Sequence, residues 1–346
     1  MAIHKKATMP FVAMLTGLCI FGYSIFQFAA TLTLSIRHLQ HHPRPQVVTS
    51  RRRAQQLTLT SADIESIYGV QTVHDLSGVA RSLWCPQAKF GEPNATVSPE
   101  DGWSEIPRRV VQIGSSSVLA SLEPAVKEGI LSWLFFHPCY SYVFLDDDAM
   151  STFMSEKSSR IKAAFRQLAN GGERADFARY LFMFEHGGIY ADTDTTALRP
   201  ISTWNLRLHD SLVVGLEADF KDERDAETWV YARKRSASLH TFATSKHNEV
   251  LGRVITRVLD NIEHPELVLQ AVHARAHGLP SHLETIFKTG PGPFSDVVLS
   301  DLKTTVLSLY ALSGKHSQGQ RFFNLQRQQA LLNQTVLVAH ANLGSW

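Results

Sequence analysis

Apolar positions are spread very unevenly along the chain. Residues 7–36 include no Asp, Glu, Lys, Arg or His, and residues 11–34 are apolar almost throughout, with Gln27 the only amide and Gly17 and Gly22 the only helix-weakening residues. A bilayer span takes about 20 such residues, whereas the apolar part of a cleaved leader runs about 7–15. With no small-x-small site before Arg37, the segment reads as an uncleaved membrane anchor. Residues 37–62 carry no helical stripe. They are basic, rich in Gln, Ser and Thr and broken by Pro43 and Pro45, the composition of a flexible stem.

From residue 63 the pattern becomes that of a folded domain. Residues 108–113 (R-R-V-V-Q-I) and 140–145 (Y-S-Y-V-F-L) read as strands, the second running into Asp146-Asp147-Asp148. Between them Leu119, Leu122, Val126, Ile130 and Trp133 recur at helical spacing over 118–133. Residues 174–186 predict a helix stopped by Gly187-Gly188, and 189–191 a short strand ending at Asp192. Further strands are expected at 211–217 and 228–233, and helices at 246–262 and 265–277. Alternation of this kind predicts an α/β domain with a mainly parallel, layered sheet, which takes its ligands beyond the carboxyl ends of the strands.

Composition narrows the function. The 346 residues balance 34 Lys+Arg against 32 Asp+Glu, which excludes a nucleic-acid binder driven by charge, and three cysteines do not make a disulfide scaffold. Cys19 lies in the apolar span, while Cys85 and Cys139 either bridge or remain buried thiols. Orientation across the membrane is left open by local signals. Arg37, Arg44, Arg51, Arg52 and Arg53 outnumber Lys5 and Lys6 and favour a cytosolic body. The sequons at Asn94 and Asn333 have meaning only if the body lies in the secretory lumen.

The chemistry concentrates in residues 174–201, R-A-D-F-A-R-Y-L-F-M-F-E-H-G-G-I-Y-A-D-T-D-T-T-A-L-R-P-I. In an extended chain Asp192 and Asp194 point the same way and can face one cation, two hard oxygen ligands suited to Mg²⁺ or Mn²⁺. A bare D-x-D occurs by chance, as Asp146–Asp148 demonstrates, and that second cluster reads as a helix cap or site rim. Asp176 and Arg179 share a face of a helix that is otherwise apolar nearly all round, so this pair is expected to be buried and to need polar company.

Asp176, Arg179-Tyr180, Gly187-Gly188-Ile189-Tyr190, Asp192, Asp194 and Thr195 together resemble the D-x-D region of glycosyltransferase family 32, the fungal Golgi mannosyltransferases. Ile106-Pro107-Arg108-Arg109 through Gln112, Ser132-Trp133, His137-Pro138, Tyr140-Ser141-Tyr142, Thr289-Gly290-Pro291-Gly292 and the ending His340…Gly344-Ser345-Trp346 follow the family's order of blocks over roughly 104–346. The resemblance implies a GT-A nucleotide-sugar-binding fold with a Rossmann-like sheet. It also implies a type II arrangement: a cytosolic tail at 1–6, a transmembrane signal anchor at 7–36, a stem at 37–62 and a luminal catalytic domain at 63–346. Asp192, Asp194 and His340 would hold Mn²⁺ (or Mg²⁺). Asp176, Arg179, Tyr180, Tyr190, Ser345 and Trp346 would bind the donor, GDP-mannose. The implied reaction is retaining transfer of mannose to an N-glycan mannose in α-1,6 linkage, extending the outer chain, with membership of a Golgi mannosyltransferase complex as a partner expectation. The sequence offers no obvious nucleophilic carboxylate, which favours front-face attack by the acceptor hydroxyl. Val111 replaces the family's Trp and Lys246-His247-Asn248 its Gly-His-Pro, departures that bear on acceptor and base recognition.

Three other readings compete. Asp192-Thr193-Asp194-Thr195-Thr196 satisfies the D-x-D-x-T of haloacid-dehalogenase phosphatases, although only a short strand precedes it. Mannosylation of inositol phosphoceramide stays within the family, whose members of that kind carry further membrane segments. An inactive transferase serving as a complex subunit is disfavoured by the intact carboxylates.

Overall fold

In the computed structural model, which describes residues 73–84, 105–114, 124–204, 206–207, 209–228, 231–275, 282–309 and 337–340, the strands and helices alternate broadly as the apolar pattern predicts. After α1 (Val73–Trp84), the run R-V-V-Q-I forms β1 (Arg109–Ile113), followed by α2 (Pro124–Phe136) and β2 (Ser141–Leu145). Asp146 then caps α3 (Asp147–Ser155), accepting from Ala149 N at 2.8 Å, and α4 (Ser159–Arg166) follows. Helix α5 (Gly171–His186) leads into β3 (Gly188–Ala191), β4 (Thr195–Ala197) and a 3₁₀ turn at Ile201–Thr203. Next come β5 (Leu212–Asp219), α6 (Glu223–Thr228), β6 (Arg235–Thr244), α7 (Glu249–Glu263) and α8 (Pro265–Arg275). The described chain closes with α9 (His282–Lys288), α10 (Pro291–Val298), β7 (Thr305–Leu309) and β8 (Val338–His340). All of these elements fall within one unit, Leu57–Trp346.

Six strands form one sheet in the order β2-β1-β3-β6-β5-β7, and β4 pairs with β8 in a separate ladder. β1 runs parallel to β2 and β3, and β5 runs parallel to β7. β6 is antiparallel to both its neighbours, which makes the sheet mixed rather than mainly parallel. Side chains alternate between two buried faces. Val111, Tyr190, Val214 and Phe242 pack under α5, α7 and α10, whereas Val110, Ile189, Val213 and Ala243 pack with Trp133 of α2 and with Trp204.

The position of one strand is corrected. The segment expected as a strand at 228–233 instead ends α6 at Thr228 and turns through 231–233, and the strand lies later, at β6. β6 escapes a pattern search because nine of its ten residues are buried, many of them Ser, Thr, Ala and His, so no polar alternation marks it. Of the two alternatives left open for Cys139, the disulfide holds, on an exposed residue; Cys85 lies outside the described residues. The anchor, the stem and the sequons at Asn94 and Asn333 also lie outside them, and among the described residues no helix is long and apolar enough to cross a membrane.

The α5–β3 junction depends on its two glycines. Gly187, at φ 63°, ends α5 with its N–H on Met183 O at 2.9 Å. Gly188, at φ 120°, lies so near β1 that an added Cβ would sit 2.7 Å from the Arg109 carbonyl oxygen. Gly188→Ala is therefore expected to lower stability by about 2 kcal/mol or more. Gly78→Ala, at an exposed position of α1 with open space around it, should be neutral or stabilising by up to about 1 kcal/mol. Urea midpoints of the two variants check both; equal midpoints would contradict the junction's role.

Candidate metal and sugar-donor site

Helix α5 is buried on all sides over its middle turns, and it carries a charged pair there. Arg179 is 2% exposed and its Nη2 lies 3.1 Å from Asp176 Oδ1, while Nη1 lies 3.2 Å from Asp192 Oδ1 and 3.3 Å from the Leu239 carbonyl. One guanidinium thus joins α5, the end of β3 and the middle of β6. Its plane rests over the Tyr190 ring, 4.7 Å from the centroid. Burial alone would lower the Arg179 pKa, but Asp192, Tyr190 and Asp176 hold it above the ordinary value, so the group stays charged.

Asp192 follows the last residue of β3. Its N–H donates to His240 O at 2.8 Å, which extends the β3–β6 ladder by one residue. Gln112 of β1 donates from Nε2 to the Asp192 carbonyl at 3.1 Å and accepts from Tyr142 OH at 2.6 Å. Tyr190 OH donates to Asp192 Oδ1 at 2.5 Å. Sequence reasoning had Gln112 only as a motif residue; its full burial in a strand is the signal that it bonds protein.

The two carboxylates do not converge by strand alternation as expected. The chain turns at Asp192, with Thr195 N bonded to Asp192 O at 3.0 Å and Thr195 Oγ1 donating to the same oxygen at 2.6 Å. This turn delivers Asp194 beside Asp192 and starts β4, which pairs with β8 in the register Thr195↔His340. His340 Nε2 lies 3.2 Å from Asp194 Oδ1. One potential ligand atom from each of Asp192, Asp194 and His340 falls within 4.8 Å of the others.

Helix α2 supports the turn. Trp133 Nε1 donates to Thr195 Oγ1 at 3.1 Å, and Ser132 Oγ accepts from Ala197 N at 2.8 Å. His137, pulled down to about 4 by burial, is a neutral imidazole between Trp133 O and Ile201 N, both at 3.1 Å. The family-like block from Ser132 to His137 therefore braces the D-x-D turn. The Thr289-Gly290-Pro291-Gly292 segment does the same for Asp176, whose Oδ2 accepts from Thr289 Oγ1 at 3.0 Å. Tyr180, fully buried and stacked on Phe294, donates to Thr289 O at 2.8 Å. Ser345 and Trp346 lie outside the described residues.

The donor set suits a divalent cation. Two carboxylates and one imidazole mix hard oxygen with nitrogen, a set that divalent cations accept. Charge agrees: among the described residues Asp176, Asp192 and Asp194 lie around the Arg179 guanidinium, and a divalent ion would offset the surplus of carboxylates. Without one, burial raises Asp192 despite Arg179 and Tyr190, and carries Asp176 from 3.8 to about 6.

Residues 124–211 match the family model described as a glycosyltransferase sugar-binding region containing a DXD motif, and the likeness to glycosyltransferase family 32 is borne out. Among curated proteins, the initiation-specific alpha-1,6-mannosyltransferase of Schizosaccharomyces pombe is 31% identical over 180 residues, 49% of this chain and 43% of that protein. Its namesake in Candida albicans is 27% identical over 190 residues, 51% and 48% of the two chains. The chain spans about half the length of the curated relatives it matches. The solved PaToxG glycosyltransferase overlaps 79% of this chain and 84% of its own, at 13% identity and a TM-score of 0.39, too loose a likeness to build on.

Removing the guanidinium would strand buried carboxylates, so Arg179→Met is expected to cost about 3–5 kcal/mol near pH 7 and less at acidic pH, where those carboxylates take up protons. Asp176 gives a separate pH signature. Its raised pKa means that the folded chain binds more protons than the unfolded chain between 3.8 and about 6. Its contribution to stability therefore falls as pH rises through that window. Denaturation curves in chelator at pH 4 to 7 should show this fall, and Asp176→Asn should flatten it.

Proposed function

We propose that the chain is a retaining, divalent-metal-dependent mannosyltransferase of GT-A fold. Its donor is GDP-mannose and its acceptor a mannose of an N-glycan, joined in α-1,6 linkage as the outer chain is extended. Residues 7–36 anchor it in the Golgi membrane as a type II protein with a luminal body, and it acts within a mannosyltransferase complex. The observation that carries this reading is the Asp192–Asp194–His340 cluster, braced by Arg179 and lying partly within the matched sugar-binding region.

In this reading Asp192, Asp194 and His340 hold Mn²⁺. The bound ion would stabilise the negative charge that grows on the nucleoside diphosphate as the glycosidic bond breaks. The protein's own groups divide the remaining work. Arg179 keeps Asp192 ionised and oriented, and Tyr190 fixes the same oxygen from below. Asp176 is the donor-sugar contact, held by Thr289 at the edge of the cluster. Tyr180 positions the Thr289 turn through its hydroxyl and reaches the donor only through that turn. Ser345 and Trp346 close over the diphosphate. Asp192 and Asp194 are committed to the ion, and Asp176 to Arg179 and Thr289. The acceptor hydroxyl then acts as the nucleophile, on the face from which the diphosphate leaves.

A donor screen with the purified full chain, Mn²⁺ and a high-mannose glycan tests the assignment. Transfer is expected from GDP-mannose, to stop with chelator, and to fall on the order of 10²–10³-fold in Asp194→Asn, comparable to losing one preorganised electrostatic contact. Transfer from UDP-glucose, UDP-galactose or UDP-N-acetylglucosamine alone would overturn the mannosyl reading.

A further inference from the structure

A histidine ligand ordinarily has its ring plane fixed by a hydrogen bond from its second nitrogen to a carboxylate, carbonyl or water. His340 lacks that device: its Nδ1 is buried and has no hydrogen-bond partner among the described residues. The ring is nonetheless held. His240 of β6 stacks on it face to face, with centroids 4.1 Å apart and planes 16° from parallel.

His240 is itself locked. It is 5% exposed, and its ring nitrogens lie 3.0 Å and 3.3 Å from Ser238 Oγ, with Nδ1 also 3.3 Å from Thr241 Oγ1. Its carbonyl accepts from Asp192 N at 2.8 Å, so the ring is tied to the same residue that starts the D-x-D turn. β6 is a ten-residue strand in the interior of the sheet, with His240 at the interruption of its β5 pairing (Val214↔Phe242, then Leu216↔Ala237) and tied to the β3 side through Asp192 N. β8, which carries His340, is three residues long and pairs with the three-residue β4. The buried, hydrogen-bonded His240 ring therefore presents a flat shelf to a ligand delivered by a short strand.

We propose that His240 is a positioning residue for the metal site: the Ser238–His240 shelf sets the plane of His340 so that Nε2 faces the ion beside Asp194. This rests on the reading of Asp192, Asp194 and His340 as metal ligands. The contact with His340 is through the ring face; the His240 nitrogens act only by holding that ring to Ser238 and Thr241, and burial in β6 holds a phenyl ring at the same position without them.

The test uses the purified full chain with Mn²⁺, in wild type and in His340→Ala, His240→Ala and His240→Phe. Mn²⁺ affinity is measured by titration, and imidazole coordination by the nitrogen modulation in the pulsed electron-spin echo of bound Mn²⁺. His340→Ala is expected to weaken binding and abolish the nitrogen signal. His240→Ala should weaken binding about tenfold, within the range for losing a group that orients a ligand. It should also diminish the nitrogen signal while Mn²⁺ stays on the carboxylates. His240→Phe, which keeps a flat ring, should restore both to within about threefold of wild type.

The outcomes separate the two ideas. If His340→Ala loses affinity and the nitrogen signal but His240→Ala matches wild type, the shelf is overturned and the ligand set stands. If His240→Phe behaves like His240→Ala, the stack is not what acts, and the proposal fails again. If wild type shows no nitrogen modulation and His340→Ala binds Mn²⁺ equally well, the ligand reading fails and takes the shelf with it.

Discussion

The site depends on keeping one positive charge inside the protein. A guanidinium removed from water loses several kcal/mol of hydration, which carboxylates restore only when they are close and well oriented. Arg179 meets that condition by bonding Asp176 on its own helix and Asp192 at the end of β3. It also takes the Leu239 carbonyl, with Tyr190 beneath it. These contacts come from three elements, so satisfying the charge brings α5, β3 and β6 together. The apolar helix that carries Arg179 and the position of the first D-x-D carboxylate are consequences of one requirement.

A second set of contacts works from the opposite face of the sheet. Gly129 of α2 lies so close to the D-x-D turn that a Cβ there would stand 2.7 Å from both the Thr193 and Thr195 carbonyl oxygens. That close approach lets Trp133 and Ser132 bond β4, and β4 in turn fixes the register of β8 and His340. Asp192 is thus held by the Arg179 side of the sheet, and Asp194 and His340 by the α2 side. The three groups meet where the two supports abut, at the carboxyl end of β3, the place where open α/β sheets receive ligands.

The sequence was most legible where one residue type has one use. Gly187-Gly188 marked the end of α5, the buried Asp176–Arg179 pair was inferred from charges on an apolar helix, and Asp146 caps α3. The order of motif blocks pointed to the residues that now surround the cluster. Other features were hidden for physical reasons. β6 is buried on both faces and rich in small hydroxyl residues, so its period does not show; with it, the mixed character of the sheet and His240 escaped notice. The D-x-D geometry was misjudged as extended because the hydrogen bonds that close the turn come from Thr195, a residue equally at home in a strand. His247 likewise adopts φ 52° where the family pattern has His before Pro, and Asn248 caps α7 through its side chain instead.

Electrostatics bear on how a nearly neutral chain would serve the anionic donor proposed for it. A basic surface would attract a nucleoside diphosphate but would bind substrate and leaving group alike, with little effect on the barrier. Among the described residues three carboxylates lie around one guanidinium, and burial already pushes Asp192 and Asp176 toward holding protons. Such a site is poorly disposed to a diphosphate by itself and well disposed to a divalent cation, so affinity for the donor would pass through the ion. Arg179 then has a use that a second metal-facing carboxylate could not supply. It restrains the protonation of Asp192 without competing for the position in front of Asp194 and His340, and so keeps the cluster ready for the cation on which the proposed chemistry depends.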